Sequence, residues 1–362
     1  MSSDLERRLE GLLAEAPEPE AGVGEKALAR ALSALRPTAP AHRGLRTAVL
    51  VFAAAVVLLA IAAGSLAAAG AIHVSFGAKK KQPPAVTRQL TLPRGANGIA
   101  AVLDGRLSVV IKGGFRLQGL RVTAAALSPH ARYVAAGIRH SLVTIAPNGR
   151  RPWTHAADGK VVAIAWAPNG FQIAYVVHAG RHFVLHVIYG NGIHDRTIDR
   201  SVRAVRPSWR ADSLAFAYVG GGGSAVVYDL GHQQHHVVPI RPPAVGVAFA
   251  PVGRALAVQT AGGVSVLARD DSRAARDVAD GDVEAFGWLD GRLAVAVPGR
   301  NSALIRLFAP DGAPRGSHPV VGVVAAITPK HVVVRRFRNL VTGHTTLLTI
   351  PRGQTARDLA IG

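Results

Sequence analysis

The sequence predicts an all-β body, a β-propeller, on three observations. A bulky apolar residue recurs at Leu127, Trp166, Trp209, Phe249, Trp288 and Ile327, in steps of 39, 43, 40, 39 and 39 residues. Each ends an apolar run, and after a turn a second apolar run restarts at Val134, Ile173, Leu214, Leu256, Leu293 and Val332. Those restarts lie 7, 7, 5, 7, 5 and 5 residues further on. The offsets differ only by two, which keeps the same side chains on one sheet face; a change of one would flip them. A period of about 40 residues with four short strands per unit is the pattern of a propeller blade.

The elements before this body are of another kind. Residues 1–26 hold seven acids (Asp4, Glu6, Glu10, Glu15, Glu18, Glu20, Glu25) against Arg7, Arg8 and Lys26. Ser3 and Glu6 have capping-box spacing, and Leu5, Leu9, Leu12 and Leu13 recur at helical spacing. Pro17-Glu18-Pro19 breaks that helix. A second, Glu25–Leu35, carries Leu28, Leu32 and Leu35 on one face and stops at Pro37. The tail, residues 1–46, is thus expected to hold two short amphipathic helices that dock a cytoplasmic partner or, being short, fray. Gly22-Val23-Gly24-Glu25-Lys26-Ala27 matches a dinucleotide fingerprint by letter, but no strand precedes it, so the phosphate-binding context is missing.

Thr47–Ile72 is a run of 26 residues without a charge. Bilayer hydrocarbon is about 30 Å thick and takes roughly 20 helical residues to cross, so residues 47–72 are expected to form a transmembrane helix. A cleaved signal peptide is disfavoured by the 46 residues ahead of the run, and a buried core helix by its length. Arg36, Arg43 and Arg46 before it nearly balance Lys79, Lys80, Lys81 and Arg88 after it, so flanking charge does not orient it. Residues 73–84, ending in the charged, Pro-containing stretch Lys79–Pro84, read as a linker.

Residues 85–362 form the propeller. An earlier unit without a bulky anchor, Val86–Leu92, Ile99–Leu103, Leu107–Ile111 and Phe115–Leu120, brings the count to seven blades. Six blades, with Val86–Leu92 closing the ring, is the alternative. Phe183–Tyr189 and a strand near Arg196–Ser201 show how two further strands complete a unit. Pro168-Asn169-Gly170 is a tight-turn sequence, since Pro presets φ and Asn and Gly tolerate positive φ.

The run Trp166-Ala167-Pro168-Asn169-Gly170-Phe171-Gln172-Ile173-Ala174-Tyr175 resembles the core of the TolB-like (WD40-like) β-propeller repeat. Pro129-His130-Ala131 and Pro251-Val252-Gly253 are weaker versions, and Trp209 and Trp288 read as having lost two turn residues. No Trp-Asp pair ends a blade, so the chain looks less like WD40 itself. The resemblance implies an extracytoplasmic interaction module.

Composition narrows the chemistry. The chain has no cysteine, which excludes disulfides, Cys-bearing zinc sites, iron–sulfur clusters and a Cys nucleophile. There is no G-x-S-x-G elbow and no P-loop. Acids in the body are few and sit mostly in turns, as at Asp104, Asp158, Asp290 and Asp311, so no catalytic carboxylate pair is expected. His178, His182 and His186 are spaced by four, but the local period is two, which puts His182 and His186 on one strand face and His178 beyond the preceding turn. His232, His235 and His236 read as a polar loop cluster. No carboxylate was visible beside either group, so solvated histidines are expected rather than a metal site. Gly220–Gly223 reads as a loop between strands. The expected set of catalytic, cofactor and metal residues is therefore empty, and no binding residue is singled out.

Charge points to partners. The chain carries 42 basic and 22 acidic residues; removing the three and seven of residues 1–26 leaves 39 against 15, or +24. Such a body is drawn to anionic surfaces. Arg106, Arg132, Arg181, Arg210, Arg254, Arg292 and Arg338 spread over every blade without aromatic clusters, which disfavours base stacking and hence nucleic acid. The expectation is a non-enzymatic, single-pass membrane protein, with its propeller outside the cytoplasm, binding a protein or an anionic cell-envelope polymer. The alternative is a membrane-tethered sensor that signals through the tail; a propeller enzyme ranks below both. Sequence leaves the oligomeric state open.

Overall fold

The chain divides into two units, Met1–Ala85 and Val86–Gly362. The computed structural model describes residues 90–361 of the second, apart from 115, 241–242, 344 and 350–355. The expected tail helices, the 47–72 span and the linker lie outside the described residues. Among the described residues, no helix is long and apolar enough to cross a membrane.

The described residues form seven four-stranded antiparallel sheets, so the count of seven blades stands. From the axis outwards we call the strands a, b, c and d. Blade 2 runs Ala125–Leu127, Val134–Ile138, Ser141–Ile145 and Thr154–Ala156. Blade 3 runs Lys160–Trp166, Gln172–Ala179, His182–Tyr189 and Arg196–Val202. Blade 4 is Ser208–Trp209, Ala215–Val219, Ala225–Asp229 and Gln234–Val237, and blade 5 is Ala244–Phe249, Leu256–Thr260, Gly263–Leu267 and Arg276–Asp280. Blade 6 comprises Ala285–Leu289, Arg292–Pro298, Ser302–Phe308 and Pro314–Val321, and blade 7 Val323–Ile327, Val332–Arg336, Asn339–Thr342 and Thr345–Thr349.

Blade 1 departs from the sequence reading. Its b, c and d strands are Gly98–Leu103, Arg106–Ile111 and Arg116–Arg121, but its inner strand is Ala356–Ile361 from the far end of the chain. Val86–Leu92 was expected there. Of that segment, Leu90–Leu92 is described and is not a strand; Thr91 N–H donates to Leu347 O (2.8 Å) and Leu90 is buried against blade 7. Both segments are short and mix apolar with charged residues, so periodicity alone could not choose between them.

The core is seven seams between neighbouring sheets, one apolar cluster per seam. A middle strand therefore buries both its faces, as in the unbroken apolar run Ile173–Val177 of blade 3, instead of alternating. The seams are lined with small side chains such as Ala163, Ala165, Ala167 and Ala174, which let sheets approach closely with few aromatic residues.

The recurring Trp ties three of the seven seams. Trp166 Nε1–H donates to Ala126 O (3.3 Å), Trp209 to Ala165 O (3.0 Å) and Trp288 to Ala248 O (2.9 Å). In every case the acceptor is the residue before the anchor of the preceding blade. Where the anchor is Phe249, the bond runs from its own N–H to Ser208 Oγ (2.8 Å).

One turn reading is corrected. Trp209 pairs with Phe216, not Leu214, so blade 4 keeps the seven-residue offset seen at Trp166↔Ile173 and Phe249↔Leu256. The shorter turns are those of blades 6 and 7. Leu214, Phe216 and Tyr218 share one face, so a slip of two was invisible to the pattern. The missing glycine concealed the turn too: its left-handed position, four residues after the anchor, is Gly170, Gly253 and Ala131 elsewhere but Ser213 here (φ 62°).

Replacing Trp209 or Trp288 with Ala is expected to destabilise the body by about 3–5 kcal/mol, the range for large buried aromatics. Trp209→Phe should cost about 0.5–1.5 kcal/mol, because it removes the indole hydrogen bond to Ala165 O. Denaturant titration of the full chain checks both; unchanged midpoints would contradict the seam account.

Candidate functional site

In blades 2 to 7 each inner strand ends at or beside its anchor residue and turns on one face of the ring, here called the a–b face. There the seven inner strands enclose a cavity of about 640 Å³ on the axis, lined by residues of all seven blades. That volume is in the range of ligand sites, about 300–1,000 Å³. Its wall combines Trp166, Trp209, Trp288, Phe249 and Phe286 with the turn prolines Pro129, Pro168, Pro251 and Pro329. The three tryptophans both bridge seams and form part of this wall.

Polar groups in the wall are Ser128, His130, Ser208, Thr328 and Arg206. Arg206 stands three residues before its anchor, at a position held by Ala124, Ala163, Gly246 and Ala285 in blades 2, 3, 5 and 6. Its side chain retains solvent contact, yet burial lowers its guanidinium below the ordinary value, opposed by the charge of Asp358 on the inner strand of blade 1. A cation projecting into an enclosed but open channel satisfies both observations.

Around the mouth, the a–b turns of four successive blades expose an apolar residue: Tyr133, Phe171 (75%), Leu214 (59%) and Val252 (78%). Tyr189 and Ile193, from the c–d turn of blade 3, are exposed on the same face. Single exposed apolar residues are ordinary; a contiguous set rimmed by polar groups marks an interaction surface.

The arc is braced beneath blades 4 and 5 by an ion network. Arg210 bonds Asp212 (2.9 Å) and the buried Asp270 (2.7 Å), and Arg254 bonds Asp270 (2.6 Å) and Asp271 (3.1 Å). Burial would lower Arg210, but its bonds to Asp212 and Asp270 raise it above the ordinary value. This network belongs to structure: its groups are consumed by one another.

Two further clusters sit at the outer seams. In blade 3, Tyr175 Oη–H donates to Asp195 Oδ1 (2.7 Å), while His186 Nδ1 (3.1 Å) and His155 Nε2 (3.5 Å) face Asp195 Oδ2. In blade 4, Tyr218 Oη meets Asp199 Oδ2 (2.8 Å) and His235 Nδ1 (2.8 Å). Strand register makes Tyr175 and Tyr218 equivalent. The same register makes His155 equivalent to Asp199, and Asp195 to His235. Each tyrosine thus lies between the outer strand of its own blade and that of the preceding one, with the Asp and the His exchanged. Burial raises both hydroxyls far above the ordinary tyrosine value, reinforced by the Asp partners.

The histidine reading is therefore corrected. His186 is buried and has a carboxylate partner, and His235 and His236 lie in an outer strand. His232, in a turn, bonds Asp229. Asp195 comes from the c–d turn and Asp199 from the neighbouring blade, whereas Asp229 is a local partner of His232 (i,i+3) that the sequence reading passed over. His178 does lie beyond the Gly180-Arg181 turn from His182, and its ring stacks on Phe183 (4.6 Å). No group of three or more His, Asp or Glu among the described residues is arranged to hold a metal ion. Gly220–Gly223 is a tight turn, with Gly223 N–H bonded to Gly220 O and Gly221 N–H to Ser201 O.

No protein-family model and no curated protein matches the chain. Among solved structures it is similar to TolB from Acinetobacter baumannii, at 16% identity over 65% of this chain and 67% of that one, TM-score 0.45. It is also similar to a putative TolB from Agrobacterium tumefaciens, at 14% identity over 62% and 88%, TM-score 0.42. A prolyl endopeptidase gives 12% identity over 75% of this chain, TM-score 0.52, and this chain spans half of its length. The last likeness concerns the fold alone.

Asp195 yields a pH test. Burial would raise it, but hydrogen bonds from His186 and Tyr175 and the charges of His186 and His155 outweigh that, so it titrates below the ordinary value. A depressed carboxyl stabilises the fold above its unfolded value and loses that contribution as pH falls through the folded one. Asp195→Asn should be less stable than wild type at pH 7, and the gap should close below about pH 4. A gap independent of pH, read by denaturant titration, would contradict the assignment.

Proposed function

We propose that this chain is a membrane-anchored, extracytoplasmic, non-enzymatic binding module whose a–b face takes an apolar segment of a protein partner. The observation that carries this reading is the exposed arc Tyr133, Phe171, Leu214 and Val252, one residue per blade, around a cavity walled by aromatic rings and prolines. Aromatic side chains such as Tyr133 and Phe171 are the residue type that anchors protein interfaces at their centres. Arg206 would favour a segment bearing an acidic group. The uncharged run 47–72 supports anchoring, and the TolB-like repeat of Trp166–Tyr175 supports a place outside the cytoplasm. The helical spacing in the tail favours a second reading, a tethered sensor, which deletion of residues 1–40 separates: a pure binding module keeps its partner.

A photo-crosslinking side chain at position 171 or 252 in the full chain in cells should give a discrete adduct, abolished by Leu214→Glu, while position 300 on the opposite face gives none. Equal labelling at all three positions would contradict the assigned face. For topology, a reporter fused after Gly362 should be active outside the cytoplasm; activity confined to the cytoplasm would overturn that part.

A further inference from the structure

The face opposite the a–b turns carries the b–c hairpin tips and the links between blades. Its tips are small or polar at Asp104-Gly105, Arg139-His140, Gly180-Arg181, Ala261-Gly262 and Gly299–Asn301. Blade 7 is the exception. Strand b ends at Arg336, which pairs with Asn339, leaving Phe337-Arg338 as a two-residue turn. Phe337 is fully exposed and has φ +52°. That first turn position is ordinarily Gly or Asn, because a bulky side chain is strained there. An aromatic ring held in water, in a conformation that disfavours it, calls for a reason outside folding.

The surroundings of Phe337 supply one. Arg335, Arg336 and Arg338 flank it and are exposed. Among the described residues no carboxylate bridges any of them; the bridges of Arg210, Arg254 and Arg269 belong to the opposite face. Val323 pairs with Arg335 across the sheet, and Val321 and Val323, on the link from blade 6, are exposed beside the tip. Arg336 Nε–H donates to Val321 O (3.0 Å), which fixes the tip against that link. Gly322 at the centre of the link donates to Asn301 O (3.2 Å), so the blade 6 tip with its exposed Arg300 is continuous with the patch. The nearby acid Glu284 is turned onto the backbone, accepting Val324 N–H (2.7 Å).

We infer that the Arg335–Arg338 tip of blade 7 is a docking point for an anionic lipid surface, with Phe337, Val321 and Val323 entering the headgroup boundary and the arginines holding lipid phosphates. An aromatic wedge beside a basic rim is the composition that lies in a bilayer interface, and a soluble polyanion would leave the three apolar side chains in water. The inference rests on the reading that the chain is held at a membrane. It places the face that carries this tip towards lipid and leaves the a–b face open to a partner.

The chain has no cysteine, so Phe337→Cys carries a single nitrobenzoxadiazole label. Full-length labelled protein is reconstituted in nanodiscs of phosphatidylcholine, with or without phosphatidylglycerol. Emission at 337 should brighten and shift to the blue in the anionic discs, be quenched by headgroup-brominated lipid, and fall back as NaCl shortens the screening length from about 10 Å towards about 3 Å. A Phe171→Cys label on the opposite face should not respond. Each basic residue near an anionic surface contributes roughly fivefold, so Arg335, Arg336 and Arg338 changed together to Gln should lower the inserted population on the order of a hundredfold. Equal emission in both discs, equal responses at 337 and 171, or the same change with soluble polyphosphate and no bilayer would each overturn the inference. Retention by the neutral discs reads the anchor separately: a chain that is not retained contradicts the anchor, and the same label, added from solution to anionic discs, still decides the tip.

Discussion

Everything in this body depends on sheets packing face to face around a closed ring. No blade has a core of its own; each apolar cluster is shared by two neighbours. A blade without its neighbours would expose both faces, so stability belongs to the ring as a whole. Small residues set the sheet spacing, and the indole N–H of each anchor Trp reaches back to the preceding inner strand. That one bond explains why a hydrogen-bonding aromatic recurs at the inner end of a strand, and why a serine hydroxyl takes over where the anchor is Phe249.

Much of the fold was legible because propeller repeats write their period into the sequence. The bulky residues from Leu127 to Ile327 marked six inner strands correctly, since each must fill the same wedge near the axis. What escaped was either degenerate or non-local. A slip of two residues at Leu214 conserves the buried face, and Ser213 in place of glycine removed the punctuation that would have placed the turn. The closing strand Ala356–Ile361 is short and lies more than 250 residues from its partner Gly98–Leu103. The acid partners of His186 and Tyr218 sit on other strands or on a neighbouring blade. The exposed apolar arc was hidden for a simpler reason: Tyr133, Phe171, Leu214 and Val252 look like strand residues until the turns are placed.

The two faces of the ring differ in composition. One has an aromatic-walled cavity, a lone cation at Arg206 and an apolar rim; the other has arginine-bearing tips and one exposed phenylalanine. Exposed arginines occur on both faces, at Arg132 and Arg292 beside a–b turns and at Arg139, Arg181 and Arg338 in b–c tips. On the a–b face Arg210 and Arg254 are spent on Asp212, Asp270 and Asp271, whereas among the described residues no carboxylate bridges the Arg335–Arg338 tip. The Tyr–Asp–His clusters stand apart from both faces, as seam ties in which two blades exchange acid and imidazole.

Closure of the ring by the C-terminal strand is the claim on which the seven seams rest. Ala100 and Ala360 are direct partners across that junction, and the chain has no cysteine to interfere. In the full-length Ala100→Cys, Ala360→Cys variant, mild oxidation should form an intramolecular disulfide and raise the denaturation midpoint, since partners on paired strands meet the roughly 4.4–6.8 Å Cα separation a disulfide needs. Failure of the two thiols to join in the folded protein would mean that another segment closes the ring.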